Sequence, residues 1–374
     1  MQKKILIVAN SSWNIINFRA NLILYLLSKG FEVSVASPED SFTPQLHSMF
    51  PNVSYYPLKQ LQNQSTNVVI ELKTLLELHR LYKNLKPDLV LHFTIKPNIW
   101  GGFAARFNGI KSISTITGLG YLFINENYKT LLIKYLYKFS LKNGFVLFHN
   151  QVDRALFLYS KIASEKNSKT INGSGVDVKK LQRTAQATSS DFTFLFVGRL
   201  LFDKGIREYE RAAILVKKQF PDTKFWVLGE MNAQNPSAIS ENDLEHWQKD
   251  SVIQYLGFQQ DTKPFYEQAH CFVLPSYREG LSKSILEAMS MSLPVITTDV
   301  PGCNSVVSEP KNGFLVLPKD EKQLAEAMIK MLHLPTSQRL DIAKNNRKKI
   351  VESYSFQSIN ETYLELIQTL CLNK

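Results

Sequence analysis

Two acids at a particular spacing open the chemical reading. An apolar run, Cys271–Leu274, stops at Pro275; a loop then carries Glu279 and Gly280, and a helix is expected from about Ser282 onward, with Glu287 inside it. A helix start presents unpaired N–H groups and partial positive charge, which suits a phosphate. Gly280 removes a side chain where backbone must come close to a ligand. Glu279 can reach a group beside the phosphate, and Glu287, about one and a half turns along, a more distant pair of hydroxyls. Taken alone, these glutamates are more simply a first-turn acid complementing the helix dipole and a solvated helix residue.

A second segment, Phe196-Val197-Gly198-Arg199-Leu200-Leu201-Phe202-Asp203-Lys204-Gly205, has the same form. A strand stops at glycine, and Arg199 and Lys204 flank the loop that opens the next helix. Two cations there can neutralise a diphosphate, arginine through a fork of hydrogen bonds and lysine as a point charge. On this segment alone, a pair of surface cations fits equally well.

These loops need strands and helices to hold them. In the first half the β-rich runs are Lys4–Ala9, Glu32–Ser37, Leu89–Phe93, Ser112–Thr117 and Phe145–Asn150, with helical periodicity between them, as at Val68–Leu85 and Tyr128–Lys142. The alternation restarts with Phe192–Gly198, Lys224–Gly229, Val252–Gly257, Cys271–Pro275, Pro294–Asp299 and Gly313–Leu317. Strands that are apolar almost throughout, alternating with helices, predict parallel sheets covered on both faces. The polar stretch 183–191 is the best linker. The expectation is an α/β chain of two doubly wound, Rossmann-like domains, residues 1–182 and 191–354, with a cleft between their carboxyl edges. A helical tail, broken near Ser353-Tyr354-Ser355, ends in a helix of about residues 355–374 expected to pack back on the first domain.

Here the two motifs join. Gly198-Arg199 and Lys204-Gly205, then Glu279-Gly280 and Glu287, together resemble glycosyltransferase family 4, as do Ile171-Asn172-Gly173-Ser174-Gly175-Val176-Asp177, Tyr255-Leu256-Gly257, Phe272-Val273-Leu274-Pro275-Ser276 and Leu293-Pro294-Val295-Ile296. They occur in the expected order across residues 170–316, while the first half resembles the family more loosely. The resemblance implies a GT-B fold and retaining transfer of a sugar from a nucleotide-diphosphate donor, most often a UDP-sugar. It implies that Arg199 and Lys204 stabilise the departing diphosphate, that Glu279 holds donor-sugar hydroxyls, and that Glu287 holds the ribose. Backbone N–H groups of Gly280, Leu281 and Ser282 would add phosphate contacts. With cations and a helix start already placed where charge develops, no metal or other cofactor is expected. The absence of a D-x-D pair and of ligand spacing among the seven histidines agrees. No covalent nucleophile is assigned, and a front-face reaction is the expectation.

In the first half, Asn10-Ser11-Ser12-Trp13-Asn14 follows the first strand where the family often has a glycine-rich loop. Asn10 and Ser11 are candidates to hydrogen-bond substrate; a plain loop fits as well. Many relatives carry a histidine near Thr117, where this chain has Thr117 and Gly118, so a general-base histidine is excluded at that point. Thr117 and Gly118 remain candidate acceptor or cleft residues, as do His92, His149 and Asn150 at the ends of strand runs, although a lone strand-end histidine is more often structural. The Thr115-Ile116-Thr117-Gly118-Leu119-Gly120 word resembles, more narrowly, bacterial enzymes that extend undecaprenyl-diphosphate-linked saccharides.

Charge is lopsided in a way that fits such an acceptor. Residues Met1 to Lys180 hold 18 Lys and 4 Arg against 10 acids, a net of +12, and the remainder nets −1. Lys134, Lys138 and Lys142 recur every four residues among Leu131, Leu132, Tyr135, Leu136 and Phe139, a pattern able to lie in an anionic membrane interface. Periodicity alone also fits a core-packed helix with a solvated lysine edge. No run approaches 18 apolar residues, so a peripheral protein on the inner face of the cytoplasmic membrane is expected. Cys271, Cys303 and Cys371 form no C-x-x-C pair, consistent with a reducing cytoplasm. A basic nucleic-acid-binding module would need a motif that is missing here. A GT-B epimerase acting on UDP-N-acetylglucosamine would need acid/base carboxylates and histidines in the cleft, which are not evident. P-loop and dinucleotide fingerprints are also missing.

Overall fold

Branched and aromatic runs make the strands, and their burial on both faces demands helical cover. In the computed structural model, which describes all residues except 1, 63–64, 66, 120–127, 185–190, 232–236, 250–251 and 373–374, the chain divides into two units. Unit 1 is Met1–Ser174 with Phe356–Lys374, and unit 2 is Gly175–Ser355.

Unit 1 has seven strands: β1 (Lys4–Val8), β2 (Glu32–Ser37), β3 (Ser54–Pro57), β4 (Leu89–Phe93), β5 (Lys111–Ile116), β6 (Phe145–Phe148) and β7 (Ser168–Thr170). All are parallel, in the order β3-β2-β1-β4-β5-β6-β7. The order reverses between β1 and β4, which run in register from Ile5 opposite Leu89 to Val8 opposite His92. Among the described residues the α-helices between them are α1 (Ser12–Phe18), α2 (Ala20–Ser28), α3 (Thr43–Met49), α4 (Val68–Leu85), α5 (Gly102–Phe107), α6 (Tyr128–Ser140) and α7 (Gln151–Tyr159). Side-chain caps fix several starts. Ser11 accepts from the Asn14 amide at 3.1 Å, Asn67 from Val69 at 2.9 Å and Asn150 from Asp153 at 2.8 Å. On one face of the sheet, α4 and α5 bury Leu78, Tyr82, Ala104 and Ala105 against Leu6, Val8 and Val90.

Unit 2 repeats the plan with six strands: β8 (Thr193–Val197), β9 (Lys224–Leu228), β10 (Gln254–Tyr255), β11 (Cys271–Leu274), β12 (Val295–Thr298) and β13 (Gly313–Val316). The order is β10-β9-β8-β11-β12-β13, again all parallel, reversing between β8 and β11. Its helices are α8 (Ile206–Lys217), α9 (Glu241–Lys249), α10 (Lys263–Gln268), α11 (Lys283–Ser290), α12 (Glu321–His333) and α13 (Thr336–Ser353). The last helix, α14 (Phe356–Leu372), belongs to unit 1, where Ile359, Tyr363 and Ile367 bury against Ile7, Leu91 and Phe93 on the other face of that sheet.

The chain enters unit 2 at Gly175, ahead of the boundary at residue 182 read from composition. Residues 175–182 are held by unit 2 itself: the Val176 amide donates to Tyr354 O at 3.0 Å, and Arg347 donates to Val178 O at 2.7 Å and Leu181 O at 2.8 Å.

Candidate active site

The loops that leave β8 and β11 flank the strand-order reversal of unit 2, the place where open parallel sheets bind ligands. The first loop runs through Gly198 and Arg199 into a short 3₁₀ turn, Phe202–Lys204, ended by Gly205. The second runs from Pro275 to Ser282, the N-cap of α11. Hydrogen bonds tie the loops together. The Tyr277 amide donates to Asp203 O at 2.9 Å, and Ser276 Oγ donates to the same carbonyl at 3.1 Å. Gly205 takes φ +75°, and a Cβ there would lie 2.0 Å from Pro275 O. Gly302, at φ +84°, supports the second loop; its Cβ would lie 2.3 Å from Glu279 O. Both positions therefore require glycine.

This clamping brings Lys204 Nζ onto Glu279 Oε1, with the side chains only 19% and 10% exposed. A cation and an acid thus share one half-buried spot beside the start of α11. Ser282 Oγ accepts from the Ile285 amide at 3.4 Å, setting that start at Gly280, Leu281 and Ser282, where the helix dipole is positive. Farther along α11, Glu287 Oε2 accepts from Tyr266 Oη at 3.2 Å and Oε1 lies 3.6 Å from Lys283 Nζ. Two neighbours orient this carboxylate and leave it capacity to accept from a diol. Arg199 is exposed and pairs with no carboxylate among the described residues. Motif reading missed two supports. Tyr277 Oη donates to buried Glu208 at 2.7 Å, and Cys303, close enough to feel the Glu279 charge, is an unreactive thiol pushed up to about 12 by burial and then by that charge. A recess of about 620 Å³ elsewhere in unit 2, lined by Arg183, Lys344 and Arg347, takes in none of these residues.

The candidates of unit 1 separate into fold and site. His92 is fully buried; its Nε2 lies 2.9 Å from Tyr82 Oη and its Nδ1 3.4 Å from Ser114 Oγ. Burial pulls its pKa down to about 3. Of the two readings open for His92, cleft residue or structural histidine, the fold takes the second: it sits one residue short of the strand end and its ring turns toward Tyr82 of α4. Asn150 is likewise a helix cap, whose Nδ2 also donates to Asp153 Oδ2 at 2.9 Å, and Ser11 caps α1. Asn10 leaves β1 with its Oδ1 buried and unpartnered. His149 leaves β6 almost wholly buried, with no partner at Nε2; burial and then the nearby Arg19 charge lower its pKa to about 3. Thr117 and Gly118 follow β5, half-buried, with Gly118 at φ +143°. Arg19 itself escaped the sequence reading. It interrupts the apolar stripe Ile15, Leu22, Ile23 and Leu26, where a hydrophobe is expected.

Helix α6 ends at Ser140, so Lys142 lies in the following turn, closed by the Gly144 amide on Leu141 O at 3.1 Å. Lys138 and Lys142 are exposed and Lys134 is half-buried. Leu131, Leu132, Tyr135 and Phe139 are exposed beside them. Among the described residues no helix is long and apolar enough to cross a membrane.

Both halves match known families. Residues 4–151 match the model described as glycosyl transferase 4-like, and residues 191–333 that of glycosyl transferases group 1. The Campylobacter jejuni N,N'-diacetylbacillosaminyl-diphospho-undecaprenol alpha-1,3-N-acetylgalactosaminyltransferase is 27% identical over 98% of this chain and 98% of its own. The Escherichia coli UDP-Gal:alpha-D-GlcNAc-diphosphoundecaprenol alpha-1,3-galactosyltransferase is 25% identical over 81% of this chain and 82% of that enzyme. A solved glycosyltransferase from Rickettsia africae shares the fold, with TM-score 0.82 at 18% identity and full coverage of both chains. Two matched halves, two sheets of one strand order and the paired motifs at their expected loops lead to one assignment: the chain belongs to the family 4 glycosyltransferases and has their GT-B fold.

Proposed function

We propose that the protein moves a hexose or N-acetylhexosamine from a UDP-sugar, with retention of configuration, onto an undecaprenyl-diphosphate-linked saccharide in the assembly of a bacterial surface glycan. The observation that carries this reading is the Lys204–Glu279 pair beside the start of α11. As the donor's C1–O bond breaks, charge grows on the diphosphate. Lys204 and Arg199 meet it as cations, and the N–H groups at Gly280, Leu281 and Ser282 meet it as donors. Glu279 holds hydroxyls of the transferred sugar and keeps Lys204 in place; Glu287 holds the ribose. The acceptor hydroxyl forms the new bond to C1 from the face the diphosphate leaves, and its proton passes to a departing phosphate oxygen. The residues themselves supply the countercharge, so we expect no metal requirement, and chelation with EDTA should leave transfer unchanged.

The acceptor part rests on relatives and on surface chemistry. The Campylobacter and Escherichia enzymes are both named for diphospho-undecaprenol-linked acceptors, and the second for UDP-Gal. Exposed apolar residues continue beyond α6, through Phe107 of α5 to Val68, Val69, Leu72 and Leu76 of α4, and α5 packs against both neighbours. A recess of about 470 Å³ beside α6 is lined by Lys138, Lys142 and Lys161. An apolar row with lysines alongside suits peripheral docking on anionic lipid, which we place at the inner face of the cytoplasmic membrane. The test is radiolabelled transfer from a panel of UDP-sugars to lipid-diphosphate saccharides. Product on a lipid acceptor supports the reading. A changed UDP-sugar formed without acceptor would replace it with epimerisation.

A further inference from the structure

Arg19 is 2% exposed, yet its guanidinium makes no hydrogen bond and no ion pair with any described residue. Its backbone bonds are ordinary: the amide donates to Ile15 O at 2.8 Å, and its carbonyl accepts from Ile23. The side chain lies flat on Phe93, 3.8 Å from the ring centroid, and Nε is buried without a partner. Desolvation lowers its pKa to about 10; Tyr363 offsets this in part, and no carboxylate among the described residues does. A buried charge is tolerated in proteins when something pairs with it. Stacking on one ring leaves the buried Nε–H without an acceptor.

The surroundings are polar and similarly incomplete. Phe93 ends β4, and the next residue, Thr94, has an unpartnered buried hydroxyl and φ +75°, a conformation that costs a β-branched residue strain. Asn10, at the end of neighbouring β1, has an unpartnered Oδ1; His149, close enough to feel the Arg19 charge, has an unpartnered Nε2. Asn10 and Thr94 follow β1 and β4, the strands that flank the reversal point of the unit 1 sheet; Arg19 stacks on the last residue of β4, and His149 follows β6 within reach of the Arg19 charge. One cation, a hydroxyl and an imidazole without an acid among them describe a site for an anion with several acceptor oxygens.

We propose that Arg19, with Thr94 and His149 beside it, forms a phosphate-binding site in unit 1 that takes a phosphate of the acceptor's diphosphate. The assignment of that phosphate to the acceptor rests on the function proposed above; the anion site itself does not. The donor diphosphate is the other source of the same chemistry, and the experiment separates the two.

Inorganic pyrophosphate is titrated into the whole protein with UDP saturating unit 2, and melting is followed for wild type and Arg19→Gln. The expected result is a rise in Tm for wild type and none for Arg19→Gln; equal shifts in both overturn the site. Arg19→Met, which removes an unpaired buried charge, should melt at or above ligand-free wild type, whereas melting well below it would mark an arginine kept for the fold and overturn the proposal. In transfer assays Arg19→Gln should raise KM for the lipid-diphosphate acceptor by about 10- to 100-fold while leaving UDP affinity within about twofold. Lost UDP affinity with an unchanged acceptor KM overturns the assignment to the acceptor. Pyrophosphate binding through Arg19 without any transfer to lipid acceptors refutes the function proposed above and upholds the anion site.

Discussion

Where strand order reverses in unit 2, Lys204 meets Glu279, and Glu287 meets Tyr266 and Lys283. Where it reverses in unit 1, Arg19 Nε, Asn10 Oδ1 and Thr94 Oγ1 are buried with no hydrogen-bond partner among the described residues, and Arg19 has only the Phe93 ring to stack on. The topology is the same, so the backbone does not explain the difference. A paired site holds its geometry without ligand, because each charge keeps its neighbour oriented. An unpartnered one leaves its polar groups to be completed by something else. On this view unit 2 is preorganised for a ligand whose charge changes during reaction, and unit 1 for one that stays anionic throughout.

Breaking the pair gives the largest effect. Lys204→Ala and Glu279→Ala should each lower kcat for sugar transfer by about a thousandfold with circular dichroism unchanged. Each single variant also strands a half-buried charge, so the double variant should be more stable than the sum of the singles predicts while remaining inactive. Near-normal transfer by both singles would remove the pair from the mechanism.

The lysines of unit 1 come next. Lys134, Lys138 and Lys142 changed together to Glu should weaken binding to anionic vesicles by about 100-fold or more, at about 1 kcal/mol per cation near the surface. The matched reversal of exposed Lys218, Lys322 and Lys344 in unit 2 should leave co-sedimentation unchanged. Equal release by both triples would mean that net charge, not the α6 face, holds the protein on lipid.

How much of this was legible differs between the two units for a physical reason. The unit 2 site is built from two short segments, residues 198–205 and 275–287, each a strand end feeding a helix, and local sequence carries that pattern. The unit 1 cluster draws on residues 10, 19, 94 and 149, which only the fold brings near one another. The strands follow the same rule. Buried runs such as Leu89–Phe93 and Cys271–Leu274 announced themselves. The edge strands Ser54–Pro57 and Ser168–Thr170 did not, since Ser-Tyr-Tyr-Pro and Ser-Lys-Thr lack an apolar run. His92 misled because burial inside a strand is invisible from its position near the strand's end. Arg19 had a signal, a charge on an otherwise apolar helical stripe.

Glycine sharpens the comparison at smaller scale. Gly205 in unit 2 has φ +75° and Pro275 O where a Cβ would sit; Gly30 in unit 1 has φ +82° and nothing within 4 Å. Both substitutions to Ala bear the left-handed cost of about 1–2 kcal/mol, but only Gly205→Ala adds a backbone clash, for a total loss of about 3 kcal/mol or more. Urea denaturation should therefore separate the two, and Gly205→Ala should also lose UDP binding because the clash pushes apart the loops that hold Lys204 and Glu279. Equal losses would show that the loops are not clamped as described.

Acid should distinguish the units most gently. His92 and His149 of unit 1 are buried with pKa values near 3, while half-buried His270 of unit 2 lies near 4. In the unfolded chain each titrates near 6.5. Above that pH neither state binds the proton, and their neutral burial leaves stability at its full value. Below it the unfolded chain takes up protons the folded protein refuses, so stability falls with pH by about 1.4 kcal/mol per unit for each fully buried histidine. Two such groups act on unit 1, and one partly solvated group acts on unit 2 with less weight. Hydrogen exchange between pH 6.5 and 4.5 should therefore report loosening in β4 and β6 before β8 and β11. His92→Gln removes one of the two protons, and its stability should decline less steeply than wild type by about 1.4 kcal/mol per pH unit. An unchanged slope would mean that His92 is already charged in the fold and that its contact with Tyr82 is an ionic one.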